Sequence, residues 1–313
     1  MPDNSQFVSE DFIDGKVVIS GPSRTGKSEQ VLNHLNALAQ SGERFYLILP
    51  SGDYVQRYKK LIAGSRGGYI GSSVMTLNSL VAVIEQASGR REYEEVPGYM
   101  LNHMISEIIE KAADSNQLSY FGEAAKLNSF SLELQLLFSE FLHSRLKPDD
   151  LIGLDFEGML KQKISEIGLI YGDYLNRCRK LGDGDFDIRL SNAVDILQSD
   201  EELFKDVQAV IIDGFYDYTL LQQELFKTLI GRVENVLLTR LHDDGREKVF
   251  KFADRMKSFY EGFKEKPSKL GKWDNSPIAL IRENVFEPEI GSSGKKQDIP
   301  LRIVEESSKR KLV

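Results

Sequence analysis

The octad Gly21-Pro22-Ser23-Arg24-Thr25-Gly26-Lys27-Ser28 narrows the possible folds of this chain more than any other stretch of it. Before it stands a β-branched run, Val17-Val18-Ile19, which reads as a buried strand. After it, Val31, Leu32, Leu35, Leu38 and Ala39 recur at helical spacing until Gly42 stops the pattern. Strand, loop and helix in this order match the G-x-x-x-x-G-K-[ST] phosphate-binding loop in its working context. The backbone N–H groups of such a loop, with a helix N-terminus behind them, offer donors and positive potential to a polyphosphate. Gly21, Ser23, Arg24, Thr25, Gly26, Lys27 and Ser28 are therefore expected to bind a nucleotide. Lys27 would reach its outer phosphates, and the Ser28 hydroxyl would hold Mg²⁺. The competing reading is a chance match in a glycine-containing turn, and the flanking strand and helix argue against it.

Strand and helix signals alternate over residues 16–90. Phe45-Tyr46-Leu47-Ile48-Leu49 is a second apolar run, closed by Pro50, and Val74-Met75-Thr76-Leu77 a third, followed by Leu80, Val81, Val83 and Ile84 at helical spacing. Such alternation implies a parallel sheet covered on both faces. Over residues 97–203 the strand signal is replaced by amphipathic stripes: Met100, Met104, Ile105, Ile108 and Ile109; Leu132, Leu136, Leu137 and Phe141; Ile164, Ile167, Ile170, Tyr171 and Tyr174. It returns at Ala209-Val210-Ile211-Ile212-Asp213 and at Val236-Leu237-Leu238, with a helical pattern between. A returning strand needs neighbours, and those on offer lie before residue 90. The expected organisation is an α/β domain in two parts, 1–95 and 205–263, an inserted helical subdomain at 96–204, and a polar linker at 264–313.

Composition limits the rest. With 313 residues and 41% hydrophobic content the chain is long enough for about two domains and a substantial core. No apolar run approaches the length of a membrane span, and Met1-Pro2-Asp3-Asn4-Ser5 lacks the basic and apolar regions of a signal peptide. A single cysteine, Cys178, can form no internal disulfide, so a cytoplasmic setting is expected. The net charge of −8 means that any contact with DNA must come from a local basic patch or from a partner.

A phosphate-binding loop needs an acid at the end of a neighbouring strand to hold the Mg²⁺ shell, and Asp213 closes such a run. Asp213-Gly214-Phe215-Tyr216-Asp217-Tyr218-Thr219-Leu220-Leu221-Gln222 resembles the D-E-F-Q-D-T-N-x-x-Q motif of UvrD-type superfamily-1 helicases, with Asp213, Phe215, Asp217 and Gln222 at matching positions. In the same order, Thr76-Leu77-Asn78-Ser79 looks like the T-F-H-S motif that contacts DNA. Asp185-Phe186-Asp187 looks like a D-F-D-D stretch, and Leu47-Ile48-Leu49-Pro50-Ser51 stands where the first DNA-contacting loop lies. The Leu-Pro ending of the second strand and the Asp-Gly-Phe form of the acidic motif are similar to AddB/RexB-type subunits of bacterial helicase–nucleases, over roughly residues 15–260.

That resemblance implies a RecA-like P-loop NTPase domain with an inserted all-helical subdomain, ATP and Mg²⁺ as ligands, and a motor subunit as partner in a heterodimer. It also implies weak contact with single-stranded DNA, a role in double-strand-break repair, and a nuclease domain farther along a longer protein, of which this chain would be an N-terminal fragment. One departure bears on mechanism. Gly214 occupies the place of the glutamate that activates the attacking water, help worth about 10²–10⁴-fold. An arginine finger, worth about 10³–10⁵-fold, would come from a second motor domain. The resemblance thus implies ATP binding with impaired hydrolysis. The alternatives are a live superfamily-1 ATPase and translocase, or a small-molecule P-loop kinase whose helical block is an acceptor lid.

Individual residues keep two readings each. Asp217 and Gln222 are linked either to Mg²⁺ and the γ-phosphate or to the start of a helix. Asn78 and Ser79 contact a DNA backbone or cap a helix. Arg57, Lys59, Lys60 and Arg66, with Tyr54 and with Ser51 nearby, form a DNA-binding patch or a solvated helix face. Asp183, Asp185 and Asp187 favour a loop with a helix cap over a calcium loop, because no acid stands at the twelfth position. His34, His103, His143 and His242 show no metal spacing.

Overall fold

The computed structural model describes residues 14–23, 25–66, 73–89, 96–182, 184–242 and 259–268. Arg24, Asp183, the Arg66 side chain and the polar stretch after residue 268 lie outside the described residues. Six strands form one sheet: β1 (Lys16–Gly21), β2 (Phe45–Leu49), β3 (Val74–Thr76), β4 (Ala209–Ile212), β5 (Asn235–Leu241) and β6 (Lys264–Pro267). Their order is β3-β2-β4-β5-β1-β6, and every pairing is parallel. The chain is α/β, as its alternating signals require.

The middle strands are continuous Val, Ile and Leu runs because both faces are covered. Successive side chains point to opposite faces. Val18, Ile48, Val210, Ile212, Val236 and Leu238 pack toward one side, joined by α3 (Leu77–Ala87) and α9 (Leu220–Ile230). Val17, Ile19, Leu47, Leu49, Ile211 and Leu237 face the other, joined by α1 (Lys27–Ser41) and α2 (Gly52–Arg66). Residues 264–267, read in the sequence as the start of a linker, form the edge strand β6 beside β1. Its Lys-Glu-Lys-Pro sequence carries no hydrophobic pattern; charges and proline are what an exposed edge tolerates best.

The helical segment builds a second core from α4 (Gly98–Asp114), α5 (Asn128–His143), α6 (Pro148–Ile152) and α7 (Gly158–Lys180), centred on Ile105, Ile108, Phe138, Ile170, Tyr171 and Tyr174. In α8 (Phe186–Ser199) the two cores meet. Ile188 belongs to the helical core, whereas Leu190, Ala193, Val194 and Leu197 pack into the sheet's core. The two cores therefore share α8, which lies inside the stretch expected as the insertion. A buried ion pair ties α8 to α3, with the Arg189 guanidinium 2.7 Å from the Glu85 carboxylate. Asp185 is the N-cap of α8, taking the Asp187 N–H at 2.7 Å, and it also accepts the Tyr174 hydroxyl. Asp187 accepts the Ser139 hydroxyl at 2.6 Å and lies 3.0 Å from His143 Nε2. The Asp-Phe-Asp stretch is thus a clasp between helices. Among the described residues no His/Cys/Asp/Glu cluster is suited to a metal, and no helix is long and apolar enough to cross a membrane.

Candidate nucleotide-binding site

The strand carrying the phosphate loop and the strand ending at Asp213 are separated by β5, so three C-terminal strand ends converge on one crevice. This is where open parallel sheets place their ligands. After Gly21 the chain turns through Gly26, which has φ 86° and stands at the N-cap of α1, a conformation glycine adopts without penalty. The loop is braced from beneath. Thr25 is fully buried, donating to the Pro22 carbonyl at 2.8 Å and accepting from the Ser268 hydroxyl at 2.6 Å, while Ser268 N donates to the Ser20 carbonyl at 2.7 Å. A Cβ on Gly21 would lie 1.9 Å from Ser268 Oγ, so this position admits no side chain. The Thr25 side chain, expected at the nucleotide, is turned inward as part of this brace.

Lys27 folds over its own loop, its ammonium donating to the carbonyls of Gly21 at 2.7 Å and Pro22 at 2.5 Å. Ser23 and Ser28 are exposed at the loop surface. The Ser28 hydroxyl reaches Asp213 Oδ2 at 3.4 Å, so the two expected Mg²⁺ ligands do come together. Both are oxygen donors, the chemistry a hard cation requires.

Asp213 is 4% exposed and held from three elements. Its N–H donates to the Ile48 carbonyl at 3.2 Å; Oδ1 accepts the Thr239 hydroxyl at 2.5 Å and Oδ2 the Tyr58 hydroxyl at 2.5 Å. Burial first, and then the negative charge of Asp213, push the Tyr58 phenol far above the ordinary range, so it stays a donor. Tyr58 and Thr239 escaped the sequence reading. Tyr58 lies on the buried face of α2 with Val55 and Ile62, behind the cations that mark the helix as a charged surface. Thr239 is the polar residue that follows the apolar run 236–238. Both signals are weak without the fold.

Gly214, at the position of the expected glutamate, has φ 84°. Its N–H donates to Thr239 Oγ1 at 3.3 Å, and a Cβ there would lie 3.2 Å from the Tyr54 ring and 3.3 Å from Pro50 Cδ. Gln222, expected at the nucleotide, is engaged in a capping box at the start of α9. Its carboxamide accepts the Thr219 N–H, and its own N–H donates to Thr219 Oγ1, both at 3.2 Å. Asp217 accepts the Tyr218 N–H at 2.9 Å.

The residues proposed to meet DNA are spread along the same end of the sheet. Ser51 is exposed between β2 and α2; Arg57 and Lys60 are exposed on α2, and Lys59 is half-buried. The cap of α3 is Thr76, which accepts the Ser79 N–H at 3.3 Å; Asn78 and Ser79 occupy its exposed first turn. A cleft of about 830 Å³ lies elsewhere, lined by Arg145, Lys147, Tyr171, Arg179 and Asn192 of the helical segment and by no residue of the phosphate loop. The chemistry favours the loop, where backbone N–H donors and a helix N-terminus can meet phosphates, whereas Arg145 of the cleft is already paired with Asp195 and Glu224.

Residues 18–276 match the family model described as ADDB, N-terminal. The chain is similar to proteins named as the B subunit of an ATP-dependent helicase/deoxyribonuclease: it is 26% identical over 240 residues to that of Ruminiclostridium cellulolyticum, covering 73% of this chain and 20% of that protein. The protein of the same name from Carboxydothermus hydrogenoformans is 24% identical over 231 residues, covering 71% of this chain and 20% of its own length. The Staphylococcus haemolyticus protein is 24% identical over 244 residues, 74% of this chain and 20% of its own. The chain spans about a fifth of the length of these curated relatives. A match across most of the sheet and the whole helical segment means that the chain belongs to the ADDB, N-terminal family.

Proposed function

We propose that this chain is a RecA-like, ATP-binding but hydrolysis-impaired helicase domain, serving a helicase–nuclease in the processing of DNA double-strand breaks. The observation that carries the reading is the pairing of an intact phosphate loop with Gly214. The binding groups Gly26, Lys27, Ser28 and Asp213 stand together, while the position expected to activate water has no side chain and little room for one. In this reading the loop N–H groups and the α1 N-terminus receive the phosphates, and Lys27 exchanges the Gly21 and Pro22 carbonyls for phosphate oxygens. Ser28 and Asp213 would hold Mg²⁺, which neutralises phosphate charge when bound. The relatives are named as ATP-dependent, which supports ATP as the nucleotide. They are also named as one subunit of an enzyme, which supports a partner, and we take that partner to be a motor subunit.

Thermal unfolding tests binding. Excess ATP should stabilise the chain by about 2.7 kcal/mol at a hundredfold excess over Kd, and Lys27→Ala should abolish the shift. Turnover should stay near background with single-stranded DNA present. Identical melting curves with and without millimolar ATP would overturn the binding reading, and a strong DNA-stimulated ATPase would favour a live translocase.

A further inference from the structure

We propose that Thr25 and Ser268 are positioning residues whose linked hydroxyls keep the Pro22 carbonyl hydrogen-bonded when Lys27 leaves it for a phosphate. Nucleotide affinity then depends on how the edge strand β6, which ends beside Ser268, is seated beneath the loop. The inference rests on the nucleotide-binding reading above and concerns what sets the affinity of that site.

The Lys27 ammonium rests on two carbonyls, Gly21 at 2.7 Å and Pro22 at 2.5 Å, and meeting a phosphate means giving both up. A carbonyl stripped of its donor in a partly buried place sets a penalty against that move. Each carbonyl oxygen has two lone pairs, however, and here each has a second donor in place. The His242 N–H reaches the Gly21 carbonyl at 3.3 Å, and the Thr25 hydroxyl donates to the Pro22 carbonyl at 2.8 Å. The first donor is backbone and is present whatever the side chain. The second is a hydroxyl that can rotate, so it must be aimed. Ser268 aims it: its own hydroxyl donates to Thr25 Oγ1 at 2.6 Å, which leaves the single Thr25 proton for Pro22. Bonds in such a chain polarise and strengthen one another. Thr25 is fully buried and Ser268 is 8% exposed, so bulk water does not compete for the relay. Ser268 is fixed in turn by its N–H on the Ser20 carbonyl at 2.7 Å and by the pairing of β6 with β1. The missing side chain at Gly21 leaves the space that Ser268 Oγ occupies. Lys27 is thus held on carbonyls that stay satisfied after it departs, and the seating of β6 maintains one of them.

The experiment is calorimetric titration of ATP with Mg²⁺ into the 313-residue chain and its variants. Thr25→Val keeps the shape of the side chain and removes its hydroxyl, and it should weaken binding about tenfold. Thr25→Ser keeps the hydroxyl and removes the methyl, and it should stay within about threefold of wild type. Ser268→Ala should weaken binding about three- to tenfold, yet add little to Thr25→Val, because both act through one bond. An unliganded melting curve for each form measures any loss of fold, and affinities are compared at a temperature where every form is folded. A Thr25→Ser chain that loses as much affinity as Thr25→Val assigns the position to packing and overturns the relay. Wild-type affinity in Thr25→Val overturns it too, with nucleotide binding left intact. Should Thr25→Val fail to fold, Ser268→Ala decides, and unchanged affinity there overturns the relay. Additive losses in the double variant overturn the assignment to Ser268. An absence of ATP binding by wild type overturns the functional reading, and the proposal falls with it.

Discussion

At Gly214 the position expected to carry a water-activating glutamate has no side chain, and the backbone there resists adding one. At φ 84° a residue with a side chain costs about 1–2 kcal/mol, before any crowding against Tyr54 and Pro50. Gly214→Glu is therefore expected to lower stability by about 2 kcal/mol, read as a shift in the denaturant midpoint. It should also fail to raise ATP turnover, because groups that act as a unit do not contribute singly. A stable Gly214→Glu chain would show that the backbone there tolerates a side chain, and a hydrolytically competent one would mean that the absent carboxylate alone blocks turnover. The strand, glycine loop and helix of residues 16–41 and an acid at the end of β4 were legible in the sequence as local patterns. Tyr58 and Thr239 were not, because each becomes part of the site only through contact with Asp213, 155 and 26 residues away along the chain.

Between elements, α8 has two allegiances, with Ile188 in one core and Leu190 onward in the other. The Glu85–Arg189 pair is what locks it to α3. Removing one partner strands a buried charge, so Arg189→Met alone should cost about 3–5 kcal/mol. The double change Glu85→Leu with Arg189→Met should recover most of that loss, because the desolvation penalty of both ions disappears together. A double-mutant cycle in chemical denaturation measures this, and additive losses would show the pair to be uncoupled. The helices of this region were legible from their stripes, but not every buried face: Leu132 and Leu136 of the stripe expected on α5 are exposed, whereas Leu134, Phe138 and Leu142 are buried. The division of α8 was not legible, because its apolar residues show that it packs without showing against what. β6 was missed for the opposite reason, since its partner is backbone and its side chains are polar.

Across the whole molecule, a net charge of −8 opposes any polyanion, so contact with DNA depends on where the positive charge is concentrated. Arg57, Lys59 and Lys60 share α2, beside the exposed Ser51 and behind the crevice that Tyr58 helps to close. Binding of single-stranded DNA is expected to be weak and to fall steeply with salt as counterions are released. Reversing the charges with Lys59→Glu and Lys60→Glu should weaken it further at low salt without altering the melting curve. Fluorescence anisotropy with a labelled oligonucleotide provides the measurement, and unchanged binding in the double variant would mark the patch as a solvated helix face.

The sequence by itself determined the strand–loop–helix unit, the parallel α/β character and the helical interruption. All of these are written in neighbours a few residues apart, where side-chain period and glycine content act directly on the backbone. Tertiary structure alone decided that β5 lies between the phosphate-loop strand and the Asp213 strand. It alone brought Ser268 beneath Gly21 and closed Tyr58 and Thr239 onto one buried carboxylate. Those arrangements depend on which buried surfaces meet across long stretches of chain, and a hydroxyl on an apolar face becomes a donor to Asp213 only when packing brings the acid to it.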